Sequence, residues 1–270
     1  MSILQAIILG IVQGLTEFLP VSSSGHLVLV QQLFGVDSAM VVTFDVALHF
    51  GTLIAVMVIY WQRIIEMIKR PFAKLPMYLV LGTIPTVIIA LLFKDAIENT
   101  YSSAALLGPG FIFTGAVLII AEKMGSGRKG LDEMKPMDPI LIGVGQGIAL
   151  LPSVSRSGMT ITTGLALGLE RGFAADFAFL ISIPAILGGT LLDVVKVVKG
   201  DTAAISAIGT VPLIVGVAVA AITGFLSIKL MISAIKKAKL KYFAYYVVIL
   251  GTLIIIGQVF FKEFMASIGL

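Results

Sequence analysis

At 270 residues, with 58% hydrophobic and 13% charged residues, the chain is far more apolar than a water-soluble domain, whose usual shares are about 45–50% and about 25%, so a soluble globule is excluded. Its net charge of +4 comes without the aromatic and basic footprint of a nucleic-acid binder, and its Lys and Arg fall in short connections between apolar runs. The lack of cysteine excludes disulfides, thiolate catalysis and Cys-ligated metal, and with His26 and His49 as the two histidines a multi-histidine metal site is not expected.

Residues 3–19 form an apolar run that Pro20 stops. No Lys or Arg precedes it, so it is expected to belong to the mature fold and not to a secretory signal. At 1.5 Å per residue the run is about 25 Å long against a hydrocarbon core of about 30 Å, and residues 27–34 are shorter still. The pair predicts a re-entrant helical hairpin with a non-helical tip, an arrangement tolerated only where protein or a polar cavity surrounds the broken backbone. Runs near 40–61, 76–93 and 104–121 each approach the roughly 20 residues of a spanning helix. Residues 138–151 are again short and end at Pro152, and a second polar turn leads into a helix to about 169, which predicts a second hairpin. Spans near 174–198, 206–228 and 243–261 follow. The lack of dyad alternation argues against a β-barrel.

The halves resemble each other. Gly10, Gln13, Gly14, Val21, Ser22, Ser24 and Gly25 recur at one fixed offset as Gly143, Gln146, Gly147, Val154, Ser155, Ser157 and Gly158, with the proline slipped by one. Gly82-Thr-Ile-Pro85 is echoed by Gly209-Thr-Val-Pro212. The fold class expected is therefore an all-α integral membrane protein, six transmembrane helices plus two re-entrant hairpins in an inverted-topology repeat, a single membrane domain over 1–270 with halves near 1–125 and 136–265. If the loop 62–75 is cytoplasmic, only Lys94, Lys196, Lys199 and Lys262 lie outside and Arg156 sits in a hairpin. The other fourteen Lys and Arg then face the cytoplasm, and the positive-inside rule puts both termini outside. The hairpins would enter from opposite faces, so that their tips can meet.

The two turns carry the chemistry. In Glu17-Phe-Leu-Pro-Val-Ser-Ser-Ser-Gly-His26, Pro20 ends one half-helix and Ser22, Ser23, Ser24 and Gly25 cap the next, aiming backbone N–H groups and a positive dipole end into the tip. Ser23 and His26 are three apart and share a face if the helix has begun, so His26 could take the Ser23 proton. Glu17 could orient His26, act as a base or hold a divalent ion; a capped helix break with Glu17 and His26 bonded to each other is the plain alternative. The second turn adds Arg156 among Ser155, Ser157 and Thr160, a planar donor fork suited to two phosphate oxygens, against which stands a structural salt bridge to Glu17. Gln13, one turn before Glu17, is expected to support it. Asp45 and His49 read as supporting groups or a satisfied polar pair, and Asp176 and Asp193 as solvated groups near helix ends.

These residues carry a resemblance. Gln13-Gly-Leu-Thr-Glu17 with Ser22-Ser-Ser-Gly-His26, and Pro152-Ser-Val-Ser-Arg-Ser-Gly-Met-Thr160, are similar to the two signature motifs of the undecaprenyl-diphosphate phosphatase (bacitracin-resistance) family, along the full length of the chain. Two departures stand out, Ser24 where threonine is frequent and Ser153 where the family often has glycine. The resemblance implies hydrolysis of undecaprenyl diphosphate to the monophosphate in the bacterial inner membrane, a site opening to the outer face, and Mg²⁺ or Ca²⁺ as a supporting ion, with Glu17 its expected ligand and no organic cofactor. The expected partners are a polyprenyl diphosphate lipid and membrane lipid, with no nucleic acid; a homodimer is left open. The expected mechanism has Ser23 attacking the terminal phosphate, His26 as base and then acid, or else as the nucleophile, and Arg156 with Ser22, Ser24, Ser155, Ser157 and Thr160 holding the phosphate. The competing class is a transporter or flippase of a lipid phosphate or ion, because inverted repeats with broken helices also build transporters.

Overall fold

In a computed structural model, the chain is described over residues 1–101, 104–125, 127–200, 206–237, 239–261, 263 and 265, with side chains described except at 38, 39, 98, 99, 101 and 192–200. Asp193, Lys196 and Lys199 thus lie outside the described side chains, and Lys262 outside the described residues. The helices are α1 (Ile3–Phe18), α2 (Ser23–Leu33), α3 (Ser38–Ile59), α4 (Trp61–Lys69), α5 (Lys74–Leu92), α6 (Lys94–Tyr101), α7 (Leu107–Lys123), α8 (Met137–Ile148), α9 (Arg156–Ala166), α10 (Arg171–Gly200), α11 (Thr210–Lys236) and α12 (Leu240–Phe260). Among the described residues there is no strand, only an isolated bridge between Lys129 and Leu169.

Among the described residues six segments are long and apolar enough to cross a membrane, within α3, α5, α10, α11 and α12 and in α7 together with the 3-10 turn Ala104–Leu106 that leads into it. Their outward faces carry large apolar side chains such as Leu91, Leu92, Ile222, Leu226 and Leu253, each more than half exposed, as lipid-facing helices require. Between the spans, α4 and α6 are short and carry charged residues, and neither was expected from the apolar pattern. On α4, Arg63 pairs with Asp176 of α10 at 3.0 Å, and the Tyr60 hydroxyl just before α4 donates to the other Asp176 oxygen at 2.8 Å. Asp176 is therefore a bound crosslink between α4 and α10 and not the solvated group the sequence suggested.

The short helices are bounded by local chemistry. Ser2 and Gln5 form a capping box at the start of α1, and Leu19, held extended by Pro20, ends it. Ser22 caps α2 and Ser155 caps α9, each hydroxyl accepting the backbone N–H three residues on, from Gly25 and Gly158. Both helices have 11 residues and both stop in the same motif. Gly35 at φ +59° and Gly168 at φ +84° follow their C-caps, with the paired reverse bonds of a Schellman turn, Gly35 N–H to Gln32 O and Val36 N–H to Gln31 O, then Gly168 N–H to Leu165 O and Leu169 N–H to Gly164 O. α2 thus begins four residues earlier than its apolar run, because Ser22 and not Leu27 sets its start.

Packing places the turns side by side. α1 lies along α11, where Ser227 and Thr223 hydroxyls donate to the carbonyls of Leu15 at 2.8 Å and Gly10 at 3.3 Å. α8 lies along α5 in the same manner, with the Thr86 hydroxyl donating to Gly143 O at 2.9 Å; the backbones run so close that a Cβ on Gly143 would overlap the Gly82 carbonyl. Beneath the turns a buried cluster including Phe18, Tyr60, Phe177, Phe179 and Ile228 joins α1, α10 and α11.

Candidate active site at two helix breaks

The break between α1 and α2 and the break between α8 and α9 touch. Arg156, the first residue of α9, donates from one Nη to Glu17 Oε1 at 2.8 Å, and Ser157 donates to the Leu19 carbonyl at 3.1 Å. Glu17, whose side chain is 5% exposed, is the hub. Its second oxygen accepts from Ser23 Oγ at 2.5 Å and from Gln13 Nε2 at 3.1 Å, and His49 Nε2 of α3 stands 3.7 Å away. Gln13 thus supports Glu17 as its spacing suggested, and His49, read from the sequence as a supporting group or as half of a satisfied polar pair with Asp45, stands in the same cluster.

The arrangement of Ser23 and His26 differs from the expected one. The Ser23 hydroxyl points at Glu17. His26 places Nδ1 2.7 Å from the Ser22 carbonyl and Nε2 2.7 Å from the Tyr246 hydroxyl of α12, with the two rings stacked 5.6 Å apart. A carbonyl only accepts, so Nδ1 carries a proton and Tyr246 is the partner of the nitrogen that titrates. Tyr246 went unnoticed in the sequence because it sits among Tyr242, Phe243 and Tyr245, a group that reads as an interfacial aromatic belt.

Of the hydroxyls expected to bind phosphate, Ser22 and Ser24 lie 3.2 Å apart and Ser155 and Ser157 likewise. Ser155 caps α9, Ser157 bridges the breaks, and Thr160 donates to the carbonyls of Arg156 and Ser157. All three are buried and bonded within the protein, whereas Ser23, Ser24 and Arg156 keep partial exposure. Thr114 of α7, not singled out in the sequence, holds the second turn in place: its hydroxyl donates to Ser153 O and accepts from Ser155 N–H, each at 3.0 Å.

Among the described residues of the two breaks and their flanks, Gln13 Oε1, Ser153 Oγ and Arg156 Nη1 are buried without a partner. Among the described residues no group of three His, Asp or Glu stands close enough to hold a metal alone. Glu17 with Gln13 Oε1 offers oxygen donors of the kind a hard divalent cation takes when substrate phosphates complete its shell, so the residues fit such an ion.

The family described as Bacitracin resistance protein BacA matches residues 6–253. A protein of Carboxydothermus hydrogenoformans named undecaprenyl-diphosphatase is 47% identical over 96% of this chain and 98% of its own. One of Bacillus cereus named undecaprenyl-diphosphatase 4 is 46% identical over the same shares, and an undecaprenyl-diphosphatase of Methanobrevibacter smithii is 39% identical over 96% of this chain and 99% of that one.

Proposed function

The chain belongs to the bacitracin resistance protein BacA family, and on that premise we propose how it works as a membrane phosphatase that hydrolyses undecaprenyl diphosphate to undecaprenyl phosphate and inorganic phosphate, recycling the lipid carrier of cell-wall synthesis. One observation carries the placement of the site. Arg156 gives one arm to Glu17 and leaves Nη1 buried and unpaired, a costly state for a purely structural salt bridge and the right one for a guanidinium awaiting an anion.

The geometry supports in-line transfer to Ser23. Glu17, already accepting the Ser23 hydroxyl bond, takes its proton as Oγ attacks the terminal phosphorus; Arg156 neutralises the equatorial oxygens; undecaprenyl phosphate departs. Glu17 releases that proton to solvent as undecaprenyl phosphate leaves and, ionised again, takes a proton from the water that cleaves the phosphoserine to inorganic phosphate and free Ser23. In this reading His26 anchors the first turn through Ser22 and Tyr246, and the base nearest the nucleophile is Glu17. Ser24 and the α2 N-terminus lie beside the incoming phosphate, and Ser22, Ser155, Ser157 and Thr160 shape the two turns around it. Mg²⁺ or Ca²⁺, held by Glu17 and Gln13, would supply further charge neutralisation on the phosphate oxygens.

The same proposal covers the architecture. α1–α2 and α8–α9 are re-entrant hairpins of an inverted repeat, supported by the equal lengths, serine caps and Schellman stops of α2 and α9 and by the exchanged packing of α1 on α11 and α8 on α5. Phosphate release by purified protein tests the scheme: Ser23→Ala and Arg156→Ala should each fall by at least about a hundredfold. Near-normal turnover in either removes that residue from the mechanism. A trapped phosphoenzyme should tolerate acid and yield to alkali; an acid-labile adduct would move the nucleophile to His26.

A further inference from the structure

Where the prenyl chain of the substrate leaves the site is not given by the polar cluster, and the cavities beside it bear on this. A small one, about 20 Å³, lies where the two turns face each other, lined by Ser24, Gly25, Pro152 and Ser153. That volume suits roughly one water-sized group. Ser153 Oγ is fully buried and has no partner, and it faces Gly25, where any side chain would collide with it. A larger cavity, about 230 Å³, begins at the preceding residues, Leu150 and Leu151, and runs between α5, α6 and the end of α8 with Ile89, Phe93 and Ile97 on its walls. Thr100 lines both cavities and is the one hydroxyl of the larger.

The two form a narrow neck, with Ser24, Thr100 and Ser153 among apolar residues such as Val28 and Leu107, followed by an apolar chamber, in an order fixed by the chain itself: Leu150 and Leu151 in the chamber, Pro152 and Ser153 in the neck, Arg156 at the phosphate site. We propose that this bipartite pocket seats the start of the substrate's isoprenoid chain, with the neck taking the oxygen that joins chain to phosphate and the chamber the first isoprene units. This rests on the hydrolase reading above and adds to it the chain's path. The occupant is argued from three features: an unsatisfied hydroxyl that wants a polar atom, walls that offer almost only carbon, and continuity with the residue that binds phosphate. Leu151 and Phe93 are exposed large apolar side chains at its wall, so the chamber is open on one side, and the rest of so long a chain can leave through that opening.

Filling the chamber is the test. Ile97→Trp and Leu151→Trp should each raise KM for undecaprenyl diphosphate by about tenfold or more, while kcat/KM for methyl diphosphate, which has no isoprene unit to enter the chamber, stays within about twofold of the unaltered protein. Unchanged KM for the long substrate, or equal losses on both substrates, overturns the proposal. A second measurement does not depend on turnover. A photoreactive prenyl diphosphate should label 93–97 or 148–151 of the unaltered protein, with labelling suppressed by undecaprenyl diphosphate and not by phosphatidylglycerol. Labelling elsewhere, or equal suppression by phosphatidylglycerol, marks the groove as ordinary lipid-facing surface and overturns it. If the unaltered protein labels there and yet releases no phosphate from either substrate, the hydrolase reading fails and the chain path stands.

Discussion

Glu17 serves two purposes with one carboxylate: it anchors the guanidinium of Arg156 and it receives the hydroxyl of Ser23. The consequence is that stability and activity separate in a definite way. Arg156→Ala leaves Glu17 buried without its strongest partner, and removing one member of such a pair costs about 3–5 kcal/mol, so the variant should melt well below the parent in detergent as well as lose turnover. Replacing both, Glu17→Met with Arg156→Met, removes the unpaired charge and should recover much of the melting temperature while activity stays absent. If Arg156→Ala melts like the parent, the pair is not a buried one in the membrane. His26 invites a different experiment. Tyr246→Phe keeps the ring stack and deletes the hydroxyl on Nε2, and turnover should drop by about tenfold, the smaller loss typical when the hydrogen-bonding partner of a metal-ligating histidine is removed. Added to His26→Ala, the same change should cost nothing further, because residues that act through one another are not additive. Full additivity would give Tyr246 a role apart from His26.

At the level of the elements, the helix breaks carry the strain. Ser22 and Ser153 are the non-glycine residues with positive φ among those described, at +69° and +59°, one in each turn. Ser22 is held there by its cap on Gly25, but the Ser153 hydroxyl is buried and unpaired. Ser153→Gly therefore relieves both backbone strain and an unsatisfied group, and thermal unfolding should show a gain of about 1 kcal/mol, net of the entropy that glycine loses on folding. A loss instead would show that the hydroxyl has a structural partner. The breaks were legible in the sequence because Pro20 and Pro152 end runs too short to span and serine caps follow them. The spans were legible because their apolar runs match the thickness of a bilayer. The amphipathic α4 and α6 were not, since a helix at the water boundary shows neither a long apolar run nor a charge-free one. Nor could spacing within one helix show that Ser23 turns back across the break to Glu17, six positions away, or that His26 turns to Tyr246, 220 positions away, which the docking of α12 on α7 brings near.

Across the whole molecule, the proposed inverted repeat makes a claim about direction. The packing partners exchange in a regular way: α1 takes α11 from the other half, α8 takes α5, while α3 meets its counterpart α10 and α7 its counterpart α12. Two tandem copies with an odd number of crossings each must face opposite ways, which brings one hairpin from each side and lets Glu17 of the first meet Arg156 of the second. Under that proposal the excess of Lys and Arg in the loops at 70–74, 123–135 and 236–241 assigns those loops to the cytoplasm by the positive-inside rule. The absence of cysteine makes this directly measurable, because any introduced thiol is the only one in the chain. Exposed Phe72→Cys, between α4 and α5, and Lys237→Cys, before α12, should resist a membrane-impermeant thiol reagent in intact cells and react after permeabilisation. Ser2→Cys and Asp95→Cys should react in intact cells. The opposite pattern would turn the molecule over and place the mouth of the site at the cytoplasmic leaflet; labelling of Ser2→Cys and Phe72→Cys from the same side would give the first half an even number of crossings and end the inverted-repeat proposal.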